Sequence, residues 1–298
     1  MQNSRKLFNL KNLKGNLILL LTSIIWGASF VSQRVGMETI EPATFNGTRL
    51  LLGAVVLLPV IFIINKKRVP ENQKQASKTL IKSGVICGLC LGIATYLQTL
   101  GINFTTSGKS GLITAMYIIF VPFLGLILKR SFPKIAFLSA FIAFIGLYLL
   151  CGFENGLNFN FGDFLTIICA IIFSFHILAI DCYSPKVDGI KLSAIQFFVA
   201  GVINFIIMLL FESPDIALIL SCTVPILYSG VMSCGVAYTL QIIGQKYTDP
   251  ASASIIMSLE SVFALLSGMI ILNESITGIE LIGCILMFAA IIINTLKS

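Results

Sequence analysis

Ten runs of apolar residues account for most of this 298-residue chain: 16–34, 44–64, 80–101, 107–128, 134–152, 162–181, 192–211, 222–243, 250–272 and 278–296. About 20 helical residues cross the hydrocarbon core of a bilayer, so each run is long enough to span it. Lipid offers no partner for backbone N–H and C=O groups, which leaves the helix as the way such a run satisfies itself. Charged residues make up 11% of the chain and hydrophobic ones 57%, whereas soluble domains carry roughly 25% charge. The polar outer faces that water requires of surface helices are therefore missing. The expectation is an all-α integral membrane protein with ten transmembrane helices. The longest connection, 65–79, is too short and polar to bury a core, so no extramembrane domain is expected. Residues 1–15 read as a tail, and the first run, too long for a signal-peptide core, stays as the first helix.

The net charge of +7 is a topology signal once its distribution is seen. With both termini in the cytoplasm, 17 of the 20 lysines and arginines lie on the inner side, leaving Arg34 and Lys109 outside and Arg49 within the second helix. The outer connections are acidic, with Glu38, Glu41, Glu154, Asp163, Glu212, Asp215, Glu274 and Glu280. An odd number of spans would not produce that pattern. The basic residues thus point to anionic lipid on the cytoplasmic side and not to nucleic acid. The eight cysteines, including the Cys87–Cys90 pair, sit in or at the ends of apolar runs and read as small packing residues. Neither they nor the lone histidine forms a metal-ligating set, and no cofactor is expected.

One phrase occurs twice. Residues 94–105 read ATYLQTLGINFT and residues 237–248 read AYTLQIIGQKYT, 143 positions later. A shift of 143 lays the third and fourth runs on the eighth and ninth; a shift of 147 lays the first two on the sixth and seventh. Five helices per half is an odd number, so the second half enters the membrane from the opposite side. The halves, 16–152 and 162–296 joined by the connection 153–161, read as inverted repeats. Secondary transporters use such repeats because one fold held in two orientations gives two access states of similar energy.

The sequence resembles the ten-helix EamA-type family of the drug/metabolite transporter superfamily. The likeness rests on IIWGASFVSQRVG in the first run, FNGTRLLLGA in the second, YLQTLGINFTTSGKSGLITAMYIIFVP across the third and fourth, and SASIIMSLESVFALLSGMIILNE in the ninth. It departs at Leu259-Glu260-Ser261, where the family usually has a proline after the glutamate, so the geometry of the ninth helix at Ser261 is in question. The resemblance implies a 5+5 bundle in the cell membrane that moves small polar metabolites, often amino acids outward.

Inverted symmetry pairs polar residues at mirrored depths. Gln98 near the outer end of the third helix pairs with Gln241 near the inner end of the eighth; Arg49 pairs with Gln196; Trp26 and Tyr117 fall near the midplane with Glu260. These seven residues form the candidate substrate site. Aromatic walls with a few polar groups suit a small zwitterion or cation, and Arg49 either forks onto a substrate carboxylate or snorkels to the surface. The two glutamines either line the path or bond a neighbouring helix. Glu260 and His176 are the candidates for proton coupling, each weighed against a static buried hydrogen bond. Gly84, Gly88 and Gly92 repeat every fourth residue and read as a close-packing face, within one monomer or at a homodimer seam.

An intramembrane enzyme would need a nucleophile or paired acid and base near one membrane face. One histidine and scattered carboxylates supply no such set, and no nucleotide-binding motif is present. The expected function is secondary transport by alternating access, most consistent with amino-acid or metabolite export; an intramembrane enzyme and a passive channel or accessory subunit are the alternatives.

Overall fold

The unmet backbone groups of an apolar run in lipid dictate local pairing, and every regular element among the described residues is helical. The structure is a computed structural model and describes residues 2–66, 73–104, 107–130, 132–150, 160–272 and 276–297. In chain order the helices are α1 Gln2–Met37, α2 Pro42–Lys66, α3 Gln73–Ile102, α4 Ser107–Thr114, α5 Tyr117–Ile127, α6 Lys134–Leu150, α7 Phe161–Tyr183, α8 Gly189–Phe211, α9 Ile216–Ser221 and α10 Thr223–Leu227. A π-helix, Tyr228–Tyr238, follows, then α11 Thr239–Gly244, α12 Pro250–Met257, α13 Glu260–Leu272 and α14 Gly278–Lys297.

Eight stretches among the described residues are long and apolar enough to cross a membrane. The runs expected over 107–128 and 134–152 give shorter apolar helices, Tyr117–Ile127 and Lys134–Leu149. Helices α1 and α3 extend beyond their apolar runs, because polar turns in water keep the same backbone pairing. Most of the connection 153–161, with Glu154, lies outside the described residues, as do Cys151 and Glu274. Asp163, expected in a connection, instead closes a capping box at the start of α7: its amide donates to Asn160 Oδ1 and its carboxylate accepts from the Asn160 amide, both at 2.9 Å.

The burial pattern is inside out relative to a soluble bundle. Large apolar side chains such as Phe62, Phe211, Ile270 and Leu296 are exposed, while Asn46, Arg49, His176, Gln196, Asn204 and Gln241 are buried. A belt of apolar side chains around a polar interior is what lipid solvation selects. The protein is a multi-pass membrane protein.

Close packing brings α2 against α8, α6 against α14, α3 against α7 and α8, and α1 against α12, α13, the π-helix and α11. The Gly84-Gly88-Gly92 face lies on α8. A Cβ at Gly88 would come within 2.6 Å of the Val199 Cβ and 2.8 Å of the Gln196 carbonyl, so only glycine permits the contact.

Two breaks position the site. Between α4 and α5, Ala115 N bonds Gly111 O, Met116 N bonds Ile113 O, Ile118 N bonds Ala115 O and Phe120 N bonds Met116 O. Between α12 and α13, Ser258 N bonds Ser254 O, Leu259 N bonds Ile256 O, Ser261 N bonds Ser258 O and Phe263 N bonds Leu259 O. The four bonds of the second break are those of the first moved along the chain by 143 residues. Each tightens one turn to 3₁₀ spacing before the helix resumes. The ninth run therefore breaks beside Ser261 with no proline there.

Candidate functional site

The first residue after each break is the one that matters chemically. Tyr117 opens α5 and Glu260 opens α13, and the Tyr117 hydroxyl donates to Glu260 Oε1 at 3.0 Å. Both side chains are nearly fully buried, yet both border a partly open cavity of about 560 Å³, its solvent-filled mouth included. A carboxyl at this depth is costly unless partnered, and the tyrosine is its partner.

Arg49 lies on another wall of the same cavity, 3% exposed, which removes the snorkelling alternative. Its Nε donates to Asn46 Oδ1 at 2.9 Å, one turn earlier on α2, and its guanidinium lies 5.5 Å from the centre of the Phe45 ring. Asn46 is fixed in turn by α3, donating through Nδ2 to the Thr95 carbonyl at 3.2 Å and Thr99 Oγ1 at 2.9 Å. Among the described residues, no carboxylate lies within ion-pair distance of Arg49.

The aromatic wall centres on Tyr238, at the end of the π-helix. Its ring is 4.5 Å from Trp26, 5.8 Å from Phe197 and 6.3 Å from His176. The Trp26 indole N–H is buried beside the cavity without a partner. Gln98 donates to Thr114 Oγ1 at 3.3 Å, and Gln241 has a buried carbonyl oxygen with no partner. His176 borders the cavity with Nε2 3.1 Å from Gln196 Oε1, which makes the ring nitrogen the donor.

The structure thus gathers Trp26, Arg49, Gln98, Tyr117, His176, Gln241 and Glu260 around one space. Gln196 is the exception: it is fully buried behind His176, whose ring takes its oxygen. Phe30, Gln33, Thr114, Ser233 and Tyr238 also border the cavity and are not singled out by the sequence. Tyr238 had one available signal, since its position 143 residues after Thr95 puts it inside the repeated phrase. A second space of about 840 Å³ shares Phe30, Gln33 and Gln98 with the first and reaches the exposed Arg34, Glu38 and Asn103. The cavity therefore opens toward one end of the bundle. At the other end Gln245, 2% exposed, donates to the Ile177 carbonyl at 3.1 Å and joins α7 to the end of α11.

The sequence profile of the EamA-like transporter family matches residues 13–152 and again residues 160–296. An uncharacterized transporter of Archaeoglobus fulgidus is 28% identical over 96% of this chain and 87% of its own length. The uncharacterized transporter YoaV of Bacillus subtilis is 26% identical over 93% of this chain and 95% of its own. A Salmonella typhimurium protein named "Probable amino-acid metabolite efflux pump" is 22% identical, covering 94% of each chain. A crystal structure of a protein 17% identical in sequence superposes with a TM-score of 0.78 over 95% of this chain and 96% of that one, a likeness of fold.

Proposed function

Because this chain belongs to the EamA-like transporter family, we propose that it is a secondary transporter exporting an amino acid or related small zwitterion by alternating access. The family and its relatives' names point to transport and not to catalysis. In this reading the protein is ten helices in two inverted five-helix repeats, 16–152 and 162–296, with both termini cytoplasmic. The open end of the cavity then faces outward.

The observation that carries the reading is the Tyr117–Glu260 hydrogen bond. Its partners are 143 residues apart, which is the repeat offset, and each is the first residue after the same break. Equivalent residues of two halves meet only where a two-fold axis passes. The packing agrees: exchanging the halves turns α3 on α7 into the π-helix and α11 on α1, and α1 on α12 and α13 into α7 on α4 and α5. The contacts of α2 with α8 and of α6 with α14 map onto themselves.

Arg49 and Glu260 give the cavity one group of each charge type, and the aromatic wall offers faces to an ammonium. Glu260 on the axis is the carboxyl that both access states would present to the pathway, so proton entry at Glu260 accompanies substrate exit. Purified protein in proteoliposomes should give saturable counterflow of at least one L-amino acid, where a channel gives linear flux. Glu260→Gln should keep counterflow but lose uphill transport driven by a pH gradient between about pH 5 and 8. Uphill transport at the wild-type rate by that variant refutes the coupling role. Absence of any saturable flux refutes the carrier.

A further inference from the structure

A buried guanidinium needs an anion, and the side chain that accepts from Arg49 Nε is a neutral amide. We propose that Asn46 is the specificity-determining residue of the cavity. It orients Arg49 through a neutral oxygen, leaves the positive charge uncompensated, and so reserves that wall for the carboxylate of the cargo. The inference rests on the zwitterion reading above and adds the residue that enforces it.

Three features support this. The amide of Asn46 cannot turn freely, because its nitrogen donates to two oxygens of α3, the Thr95 carbonyl and Thr99 Oγ1. Thr99 in turn donates its own proton to the Thr95 carbonyl at 2.9 Å, so its oxygen is left to accept from Asn46. The Asn46 carbonyl oxygen therefore points to Arg49 Nε and holds one corner of the guanidinium. Phe45 lies against the group at 5.5 Å, and neither Nη bonds any described residue. What is left is a forked pair of donors on the cavity wall, the geometry that carboxylates accept.

Second, an aspartate in place of Asn46 would have nearly the same shape and would supply at 2.9 Å the counter-ion that Arg49 lacks. A buried arginine is normally paired, and a single-atom change would pair this one. Third, the corresponding positions of the second half are Ser193 and Gln196, 147 residues on, with no charge at all. The receptor for the negative end of the cargo exists in one half only, which fixes the orientation in which a zwitterion sits.

The test uses full-length protein in lipid nanodiscs, titrated with the L-amino acids and with their carboxamides, and thermal stability as the binding signal. Wild-type protein is expected to respond to one or more acids and to bind the matching carboxamide roughly 10- to 100-fold more weakly, the cost of losing a hydrogen-bonded charge. Asn46→Asp should lose that preference while binding the carboxamide as before, a reversal that general damage to the fold would not give. Thr99→Val, which frees the Asn46 amide to turn, should weaken the acids in the same direction by less, and serves if the aspartate variant does not fold. Retention of the acid preference by either folded variant overturns the proposal. So does a wild-type response to chloride alone that matches the response to acids. If no acid, carboxamide or chloride binds wild-type protein and none is transported, the zwitterion reading itself is refuted, and Asn46 with it.

Discussion

The two ends of the bundle carry corresponding residues in opposite arrangements. At the open end Phe30 of α1 and Ile102 of α3 border the passage to the cavity. At the closed end the residues 147 and 143 positions later, Ile177 of α7 and Gln245 beyond α11, are joined by a hydrogen bond from the Gln245 amide to the Ile177 carbonyl. An isoleucine side chain cannot make that bond, so Ile102 cannot tie the open end as Gln245 ties the closed one. The closed end has a second tie, the ion pair of Arg130 with Asp181. Residues paired by the sequence offsets therefore differ in the polar bonds they make at the two ends. In the proposed alternating-access cycle, these polar ties favour the arrangement closed at the end of Gln245 and open at the end of Phe30.

The largest effect should come from fixing the closed end. In a cysteine-free background, a thiol cross-link between Ile177→Cys and Gln245→Cys should abolish transport, and reduction should restore it. A cross-link between Phe30→Cys and Ile102→Cys should also block transport but form only in the opposite state, and so more slowly in the absence of cargo. Full transport by the linked 177–245 protein would show that this end is not a gate. Next in size is Gln245→Leu, which makes the closed end resemble the open one. Losing one buried hydrogen bond costs about 1 kcal/mol, a roughly fivefold change in the ratio of the two states. A thiol-specific label at Gln33→Cys, which borders both spaces, should react correspondingly more slowly in that variant.

How much of this could be read from the chain depended on what each signal reports. Apolar runs report solvent, and they were enough for a lipid-embedded helical bundle. The sequence phrase at 94–105 and 237–248 pointed to the repeat offset that the Tyr117–Glu260 bond shares. The breaks were not legible: ITAMYII and IIMSLES contain neither proline nor glycine, and the tightened turns sit beside the contact of Tyr117 with Glu260. Nor was the π-helix, although Gly230, where a Cβ would come within 3.0 Å of the Arg49 carbonyl, marks where α2 approaches closely. Of the seven residues paired by mirrored depth, six border the cavity, which is lined by fifteen residues in all. The pairing misplaced Gln196 and passed over Asn46, because depth along a helix does not say which polar groups satisfy one another.

The open end also has a fixed post. Glu212, at the end of α8, accepts from the Ala43 and Thr44 amides at 2.7 Å and from Thr44 Oγ1 at 2.8 Å, capping the start of α2 across the helix pair. At the closed end Asp188 caps its own helix, through the Ile190 and Lys191 amides. Glu212→Gln should therefore cost about 1–2 kcal/mol of stability, seen as a lower unfolding temperature. The labelling rate at Gln33→Cys should stay unchanged if the closely packed α2 and α8 act as one body. A changed labelling rate with unchanged stability would make Glu212 part of the gate.

The smallest effect is expected at the Arg130–Asp181 pair. Both side chains are partly exposed, 29% and 21%, and exposed pairs contribute roughly 0.2–1 kcal/mol and are screened by salt. Asp181→Asn should slow labelling at Gln33→Cys by less than Gln245→Leu does, and the difference from wild type should fade as salt is raised. Exchanging the two, Arg130→Asp with Asp181→Arg, separates attraction from local packing. The exchange puts an arginine where Arg34 stands in the first half, 147 residues earlier, so the backbone position has a precedent for that side chain. If the pair holds the end shut by charge, the exchanged protein should label at the wild-type rate while either single change does not. Labelling that follows the single changes even after the exchange would leave the Gln245 bond as the tie that distinguishes the two ends.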